Sequence, residues 1–407
     1  MRDNHRDRSR NREKYIKKYG NKDMAGLTRK QRMTVRIRRR RPLSWQGGCA
    51  ALVFLLFLMF LCTLFSGGST TQAVTEDGGE SGSDEGIVLD FLGDMMLGRY
   101  IMEYGEQYGY DSLFENMTAY WEDSDLVFAN LESAVLFEDE DEYEQPEKEI
   151  YLYTTVTGLE SALTAGINVY ACANNHAFDY GEQAIVELCE YFQEEDVTYS
   201  GIGETLEETV VYQLMEVDGI TVAFVSITEV YYSEAAVNYS QAGVLSTAYS
   251  SYNRIVNRAS QEADVTVVYM HWGEENATAA DSTQETLGHQ LIDAGADIVI
   301  GCHPHVLQEV ELYKNGIIFY SLGNFIFDQG NTWSRDSVMV EYTMDEDGTG
   351  EFVLYTLRLN DGIPSVTGNS FYQARINREL SQSLSDDTYS VNEDGYIVIP
   401  FDIEVES

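Results

Sequence analysis

The strongest chemical signal in the chain is Gly301-Cys302-His303-Pro304-His305, which follows the apolar run Ile298-Val299-Ile300. In extended backbone, imidazoles at i and i+2 share one face. The intervening proline fixes φ, and Gly301 lets the backbone approach a ligand closely. Other polar groups also come directly after apolar runs: Asp94 in Gly93-Asp94, and Asn130 and Glu132 in Asn130-Leu131-Glu132. So do Asn174-Asn175-His176 and His271-Trp272-Gly273-Glu274. Adjacent amides and an imidazole suit a turn rather than the interior of a strand or helix, because Asn bonds its own backbone.

Of six histidines, His5 lies in a basic N-terminal stretch and His289 inside a helical pattern, while His176, His271, His303 and His305 all follow strand-like runs. Carboxylates, amide oxygens and imidazoles suit a borderline divalent ion such as Mn, Zn or Fe; a thiolate site would need several cysteines. The five cysteines are too few and too scattered for a disulfide framework, and Cys172 and Cys302 read as packing residues. Arg99, one of nine basic residues after Trp45, is a candidate substrate-binding group for a phosphate or carboxylate, with an ordinary salt bridge as its alternative. Asp179, Glu274 and Asn324 read as groups that orient the ligands.

Strands must carry these side chains. Short apolar runs at 87–92, 126–129, 168–173, 221–227, 265–270 and 297–300 read as buried strands, with helical patterns at 181–193, 250–262 and 284–294 between some of them. Such alternation predicts an α/β domain, in which ligands bind beyond the strand ends. Further strand-like runs at 316–322, 337–344, 351–360 and 396–401 are expected to complete or cover the sheet. Residues 330–407 therefore read as a β-rich extension of the 87–329 domain. The acidic segment 138–149 reads as a surface insertion.

In order, Gly-Asp, Asn-Leu-Glu, Asn-Asn-His, His-Trp-Gly-Glu, Gly-x-His-Pro-His and Tyr320-Ser321-Leu322-Gly323-Asn324-Phe325 closely resemble the CapA family of poly-γ-glutamate capsule proteins, which is itself similar to calcineurin-like metallophosphoesterases. The resemblance covers residues 87–329 and implies a four-layer α/β/β/α sandwich with one or two divalent metal ions per chain. It makes Asp94 and His305 ligands of a first metal, and Asn175, His271 and His303 ligands of a second. Asn130 or Glu132 would be the bridging group, and His176 the general acid. Typical metallophosphoesterases carry Asp-x-His in the first motif, whereas this chain has Met96 at the histidine position. The resemblance thus implies a metal-dependent, phosphoesterase-like hydrolase or transferase, or else an assembly or export factor whose metal is structural or binds carboxylate. The implied partners are an anionic capsular polymer or its precursor, and other capsule-synthesis membrane proteins.

The charge is divided. Met1–Trp45 holds 17 of the 26 Lys and Arg and 4 of the 68 Asp and Glu, a net of +13 that leaves −55 for the remainder. Residues 47–65 are uncharged and close to the ~20 residues a helix needs to cross a bilayer. The basic flank is expected to stay in the cytoplasm, and it is too long for a signal peptide. Residues 1–46 are thus expected to be a cytoplasmic tail, 47–65 a transmembrane helix anchored in the lipid bilayer, and 66–86 a flexible linker. The main domain would be extracellular. Membrane orientation accounts for the arginine run, so no nucleic acid partner is expected. A broad polyanion-binding face is disfavoured by the −55 charge.

Overall fold

The computed structural model describes residues 86–405. The expected tail, membrane span and nearly all of the linker lie outside the described residues. Among the described residues, no helix is long and apolar enough to cross a membrane.

Two large sheets form in three stretches of chain, beside two small two-stranded ones. First come β1 (Ile87–Met95), β2 (Leu126–Leu131), β3 (Val169–Ala171) and β4 (Thr198–Ser200). Next are β5 (Gln213–Val217), β6 (Ile220–Thr228), β7 (Val265–His271), β8 (Ile298–Cys302), β9 (Val310–Tyr313) and β10 (Gly316–Phe319). The chain then returns through β11 (Asn324–Ile326), β12 (Asp336–Met344), β13 (Gly350–Asn360), β14 (Ile363–Val366), β15 (Ser390–Val391) and β16 (Ile397–Pro400).

The first sheet runs β15-β16-β13-β12-β1-β2-β3-β4, with β11 beside β1 and β14 beside β13; the second runs β9-β10-β8-β7-β6-β5. Strands β1 to β4 are parallel, as are β6, β7, β8 and β10. The late strand β12 joins β1 antiparallel, so the C-terminal stretch extends the first sheet.

Period-two patterning explains the layers, because successive side chains leave a strand on opposite faces. Leu89 and Phe91 of β1, Val267 and Tyr269 of β7, and Val338 and Val340 of β12 share one core between the sheets. Leu92 and Met95 of β1 turn outward, as do Val268 and Met270 of β7. Both faces are apolar, as expected for strands covered on both sides. Helices α1 (Arg99–Tyr108), α2 (Val156–Ala165) and α3 (Gly181–Glu195) lie on the first sheet's side, while α4 (Tyr252–Ala259) and α5 (Ser282–Asp293) cover the second sheet. Together these make a mixed α/β fold in four layers. A further helix, α6 (Ser370–Leu380), adds Ile376 and Leu380 to the inner core.

Tyr269 pins the two sheets together near the strand ends. Its hydroxyl donates to Leu92 O at 3.1 Å and Phe128 O at 3.2 Å, while its ring stacks 6.2 Å from that of Phe128. Each fully buried aromatic or aliphatic side chain here stabilises the fold by roughly 1.5–3 kcal/mol.

The acidic 138–149 segment lies at the surface, as expected, with most of its residues exposed, but it is tied down at both ends. The Tyr143 hydroxyl donates to Glu187 on α3 and accepts the Phe137 and Glu138 N–H groups. Lys148, at the other end, has a buried side chain. The helix expected over 250–262 is confined to Tyr252–Ala259.

Candidate metal centre

All the candidate ligands come from C-terminal ends of parallel strands in both sheets. Asp94 is near the end of β1, and the β1–β2 register shifts between Leu92 and Asp94. Such a bulge re-aims a side chain, and Gly93 makes it sterically possible: a Cβ there would sit 1.9 Å from Gly323 O. Asn130 opposes Asp94 in β2, with Glu132 just beyond that strand. His271 closes β7 opposite Cys302, the last residue of β8, and His303 and His305 follow.

Asp94, Glu132, His271, His303 and His305 are all buried and converge. Ligand atoms of Glu132, His271 and His303 lie within 4.8 Å of one another, and so do those of Asp94, Glu132 and His305. Glu132 belongs to both groups. Its Oε1 is 3.9 Å from His271 Nε2 and 3.6 Å from His305 Nε2. Asn175 Oδ1 lies 2.8 Å from His271 Nε2, which adds the amide to the first group. Asn130 Nδ2 donates to Asp94 Oδ1 at 2.8 Å and faces Glu132 Oε2 and His271 Nδ1 at 3.4 Å. Of the two residues the sequence left open, the carboxylate stands in both groups while the amide holds the acids in place.

Two observations fit these residues to a divalent ion. Among the described residues, Glu132 Oε1 and His303 Nδ1 are buried polar atoms with no hydrogen-bond partner. An orphaned buried polar group costs about 1–3 kcal/mol. The donors are also oxygens and imidazole nitrogens, the set that suits Mn, Fe or Zn.

The protonation states point the same way. Burial, aided by the neighbouring His303, pushes His271 well below its ordinary pKa, and burial with His305 nearby lowers His303 to about 4. Both imidazoles are therefore neutral at pH 7, as ligation requires. Burial raises Asp94, but the hydrogen bond and charge of His305, with His271 and Asn130, outweigh it and hold the carboxyl below its usual range. Burial and the adjacent Asp94 charge push Glu132 well up. A bound cation reverses that last balance.

His303 and His305 depart from the extended geometry expected of them. Their φ values are +97° and +58°, so both lie in a turn beyond β8. Non-glycine residues at positive φ are strained by order 1–3 kcal/mol, and such strain clusters at functional sites. The turn is held by the His303 N–H, which donates to Asp94 Oδ2 at 3.2 Å, and by Asn324 Oδ1, which lies 2.9 Å from His305 Nδ1. Gly301 is approached by protein rather than ligand: a Cβ there would meet Tyr320 O at 2.0 Å and Trp272 Nε1 at 2.5 Å.

His176 stands beside this cluster. Its backbone N–H donates to Asn174 Oδ1 at 3.0 Å, and its Nδ1 lies 2.8 Å from Asp179 Oδ2. Asp179 also accepts the Leu152 N–H and is ion-paired with the buried Lys148. Lys148 further donates to Asn175 O at 2.9 Å. Burial lowers the pKa of His176, against the opposing pull of Asp179.

A model of the family described as bacterial capsule synthesis protein PGA_cap matches residues 88–329, the stretch that carries every one of these groups. The chain belongs to this PGA_cap family. It is 36% identical over 308 residues to the capsule biosynthesis protein CapA of Bacillus anthracis, covering 74% of each chain. It is 34% identical over 354 residues to the PGA biosynthesis protein CapA of Bacillus subtilis strain 168, covering 86% of this chain and 90% of that one. Among solved structures, a 5'-nucleotidase precursor from Thermus thermophilus is similar at a TM-score of 0.37 and 14% identity. That match covers 73% of this chain and 58% of the nucleotidase.

In this PGA_cap member Met96 is turned into the core, where its Sδ accepts the Gly98 N–H at 3.0 Å. Arg99 lies at the rim, exposed, with Nε donating to Asp328 Oδ2 at 3.1 Å and its guanidinium 5.5 Å from the Phe327 ring. Phe327 in turn packs 4.5 Å from the His305 ring. Glu274 is exposed in the turn after β7, and the charge that reaches Glu132 from that turn is Glu275's. The three described cysteines are free and buried. Lys148 was not picked out from the sequence, and Asn174 was named in its motif without a role. A lone lysine within an acidic stretch, in a domain so poor in bases, was the available signal for the first.

Proposed function

We propose that the chain is a membrane-anchored capsule protein that acts on poly-γ-glutamate or a related anionic capsular polymer as a metal-dependent hydrolase or transferase. The observation that carries this reading is the shared Glu132, whose partnerless Oε1 faces imidazoles on both sides. Support for the polymer comes from the names of the Bacillus relatives, one of which is a PGA biosynthesis protein. The anchor is proposed from the uncharged segment 47–65, and an outward-facing catalytic domain from the basic stretch before it.

Asp94, Glu132 and His305 would hold one divalent ion, and Glu132, Asn175, His271 and His303 a second. When bound, the ions supply Lewis acidity toward an ester or amide oxygen and orient it for attack. The remaining steps belong to the chain. Asp179 fixes the His176 ring through Nδ1, so that its other nitrogen delivers a proton to the departing group. Lys148 neutralises Asp179 and ties it to the Asn175 backbone. Arg99 and Asp328 stand at the entrance.

The test is turnover of γ-glutamyl and phosphodiester substrates by the purified protein with and without EDTA. Metal-dependent turnover that disappears in His176→Ala, at unchanged metal content, supports catalysis. A second reading, a non-catalytic assembly or export factor, is favoured by Met96, which gives the first ion one imidazole fewer than a typical phosphoesterase. Unchanged capsule output in the His176→Ala strain would select it.

A further inference from the structure

Only nine basic residues follow Trp45, and three of them meet at the start of β12. Arg358 Nη1 donates to Asp336 Oδ1 and, at 3.3 Å, to Thr332 O. Arg375 Nη2 lies 2.5 Å from Asp336 Oδ2. Arg335 is fixed alongside by its bond to Leu359 O at 2.9 Å. Two guanidiniums thus share one carboxylate, and among the described residues Arg375 Nε meets no acceptor.

Aromatic faces frame this surplus charge. The Arg375 guanidinium is 5.2 Å from the Trp333 ring, 5.1 Å from Tyr372 and 5.8 Å from Phe371, and Arg358 is 4.3 Å from Tyr372. Stacking fixes the plane of a guanidinium; Nε and Nη2 of Arg375 are buried, so an anion meets the part of the pair that stays 13% exposed at Arg375 and 11% exposed at Arg358. Trp333 and Phe371 remain 45% and 68% exposed, large apolar surfaces beside a cation. The segment from Asp328 to Arg335 connects the cluster to the metal centre. Ser334 O accepts from Asn324 Nδ2 at 3.1 Å, and Asn324 Oδ1 lies 2.9 Å from His305 Nδ1.

The geometry points to a second binding site, in which Arg358, Arg375, Trp333 and Phe371 hold a carboxylate of an acidic polymer chain beside the metal centre. It rests on the proposed polymer substrate and adds the site that captures it. A chain carrying a carboxylate on every residue is repelled by most of this acidic surface, though screening limits the repulsion to about 8 Å at physiological ionic strength. At the arginine pair two guanidiniums face one carboxylate, and a guanidinium fork matches a carboxylate's two oxygens. Trp333 and Phe371 supply flat faces for the methylene groups between successive carboxylates. Captured there, the polymer lies next to the segment that supports His305.

The test is titration of the full-length protein, in EDTA, with a γ-linked glutamate decamer. Binding is followed by calorimetry and by tryptophan emission, with Trp333→Phe as the fluorescence blank. Saturable, salt-sensitive binding is expected, weakened about tenfold by Arg375→Gln, which removes a charge-assisted contact. Trp333→Ala, which leaves the Asp336 ion pairs in place, is expected to weaken it about threefold or more. Absence of saturable binding would overturn the site. So would unaltered affinity in both variants at wild-type unfolding midpoints, or polyphosphate binding in place of the decamer. Because EDTA removes the metal centre from the measurement, such a failure leaves metal content and metal-dependent turnover as separate observations.

Discussion

Glu132 Oε1 lies 3.6 Å from His305 Nε2 and, among the described residues, accepts no hydrogen bond. A fully buried carboxylate oxygen ordinarily finds a donor. Here the groups around it are imidazoles, the Asn130 amide and another carboxylate, Asp94, a donor set that suits a divalent cation. The chain accepts backbone strain at His303 and His305 to build it.

The His176–Asp179 contact separates proton transfer from metal binding. Asp179→Asn replaces the carboxylate facing His176 Nδ1 with a neutral amide and removes no candidate ligand. Metal content is expected to stay at the wild-type level while turnover falls about 10²-fold or more. Metal analysis and steady-state rates on the same preparation check this, and parallel loss of both would make Asp179 a structural support only.

Lys148 is expected to matter more for stability than an acidic loop would suggest. Its pair with Asp179 is buried on both sides. Lys148→Met leaves that carboxylate without its counter-charge, a change that costs about 3–5 kcal/mol when a buried pair is broken. Urea unfolding reads the difference directly. A wild-type midpoint would mean that solvent already screens the pair.

Acid pH should stabilise the fold through Asp297. Burial pushes its carboxyl up to about 7, although Oδ2 accepts the Thr266 N–H at 2.8 Å. The unfolded value is about 3.9. Between these values the folded state keeps a proton that the unfolded chain has released, so this contribution is complete below about pH 4 and is lost as pH rises through 7. Unfolding midpoints in EDTA at pH 5 and pH 7.5 should differ less in Asp297→Asn than in the wild type. An equal difference would exclude Asp297 as its source.

The strand ends were legible because each candidate group follows an apolar run, and a strand covered on both faces must be apolar along its length. The turn at His303 was not, because positive φ at a histidine arises from tertiary bonds to Asp94 and Asn324 that local sequence does not encode. The choice between Asn130 and Glu132 was also closed to spacing: residues two apart near a strand end point the same way. Lys148 was hidden by sequence distance, since its partner Asp179 lies 31 residues on, past β3. Arg99 was placed near the centre, but its contact with Asp328 bridges 229 residues and could only be found by folding.

The most direct measurement is the native metal content of the purified full-length protein beside Glu132→Gln. One or two divalent transition-metal ions per chain are expected in the wild type, with content falling well below one in the variant, since Glu132 belongs to both candidate groups. A wild-type protein that carries no such ion and takes none up from solution would contradict the metal centre and the chemistry built on it.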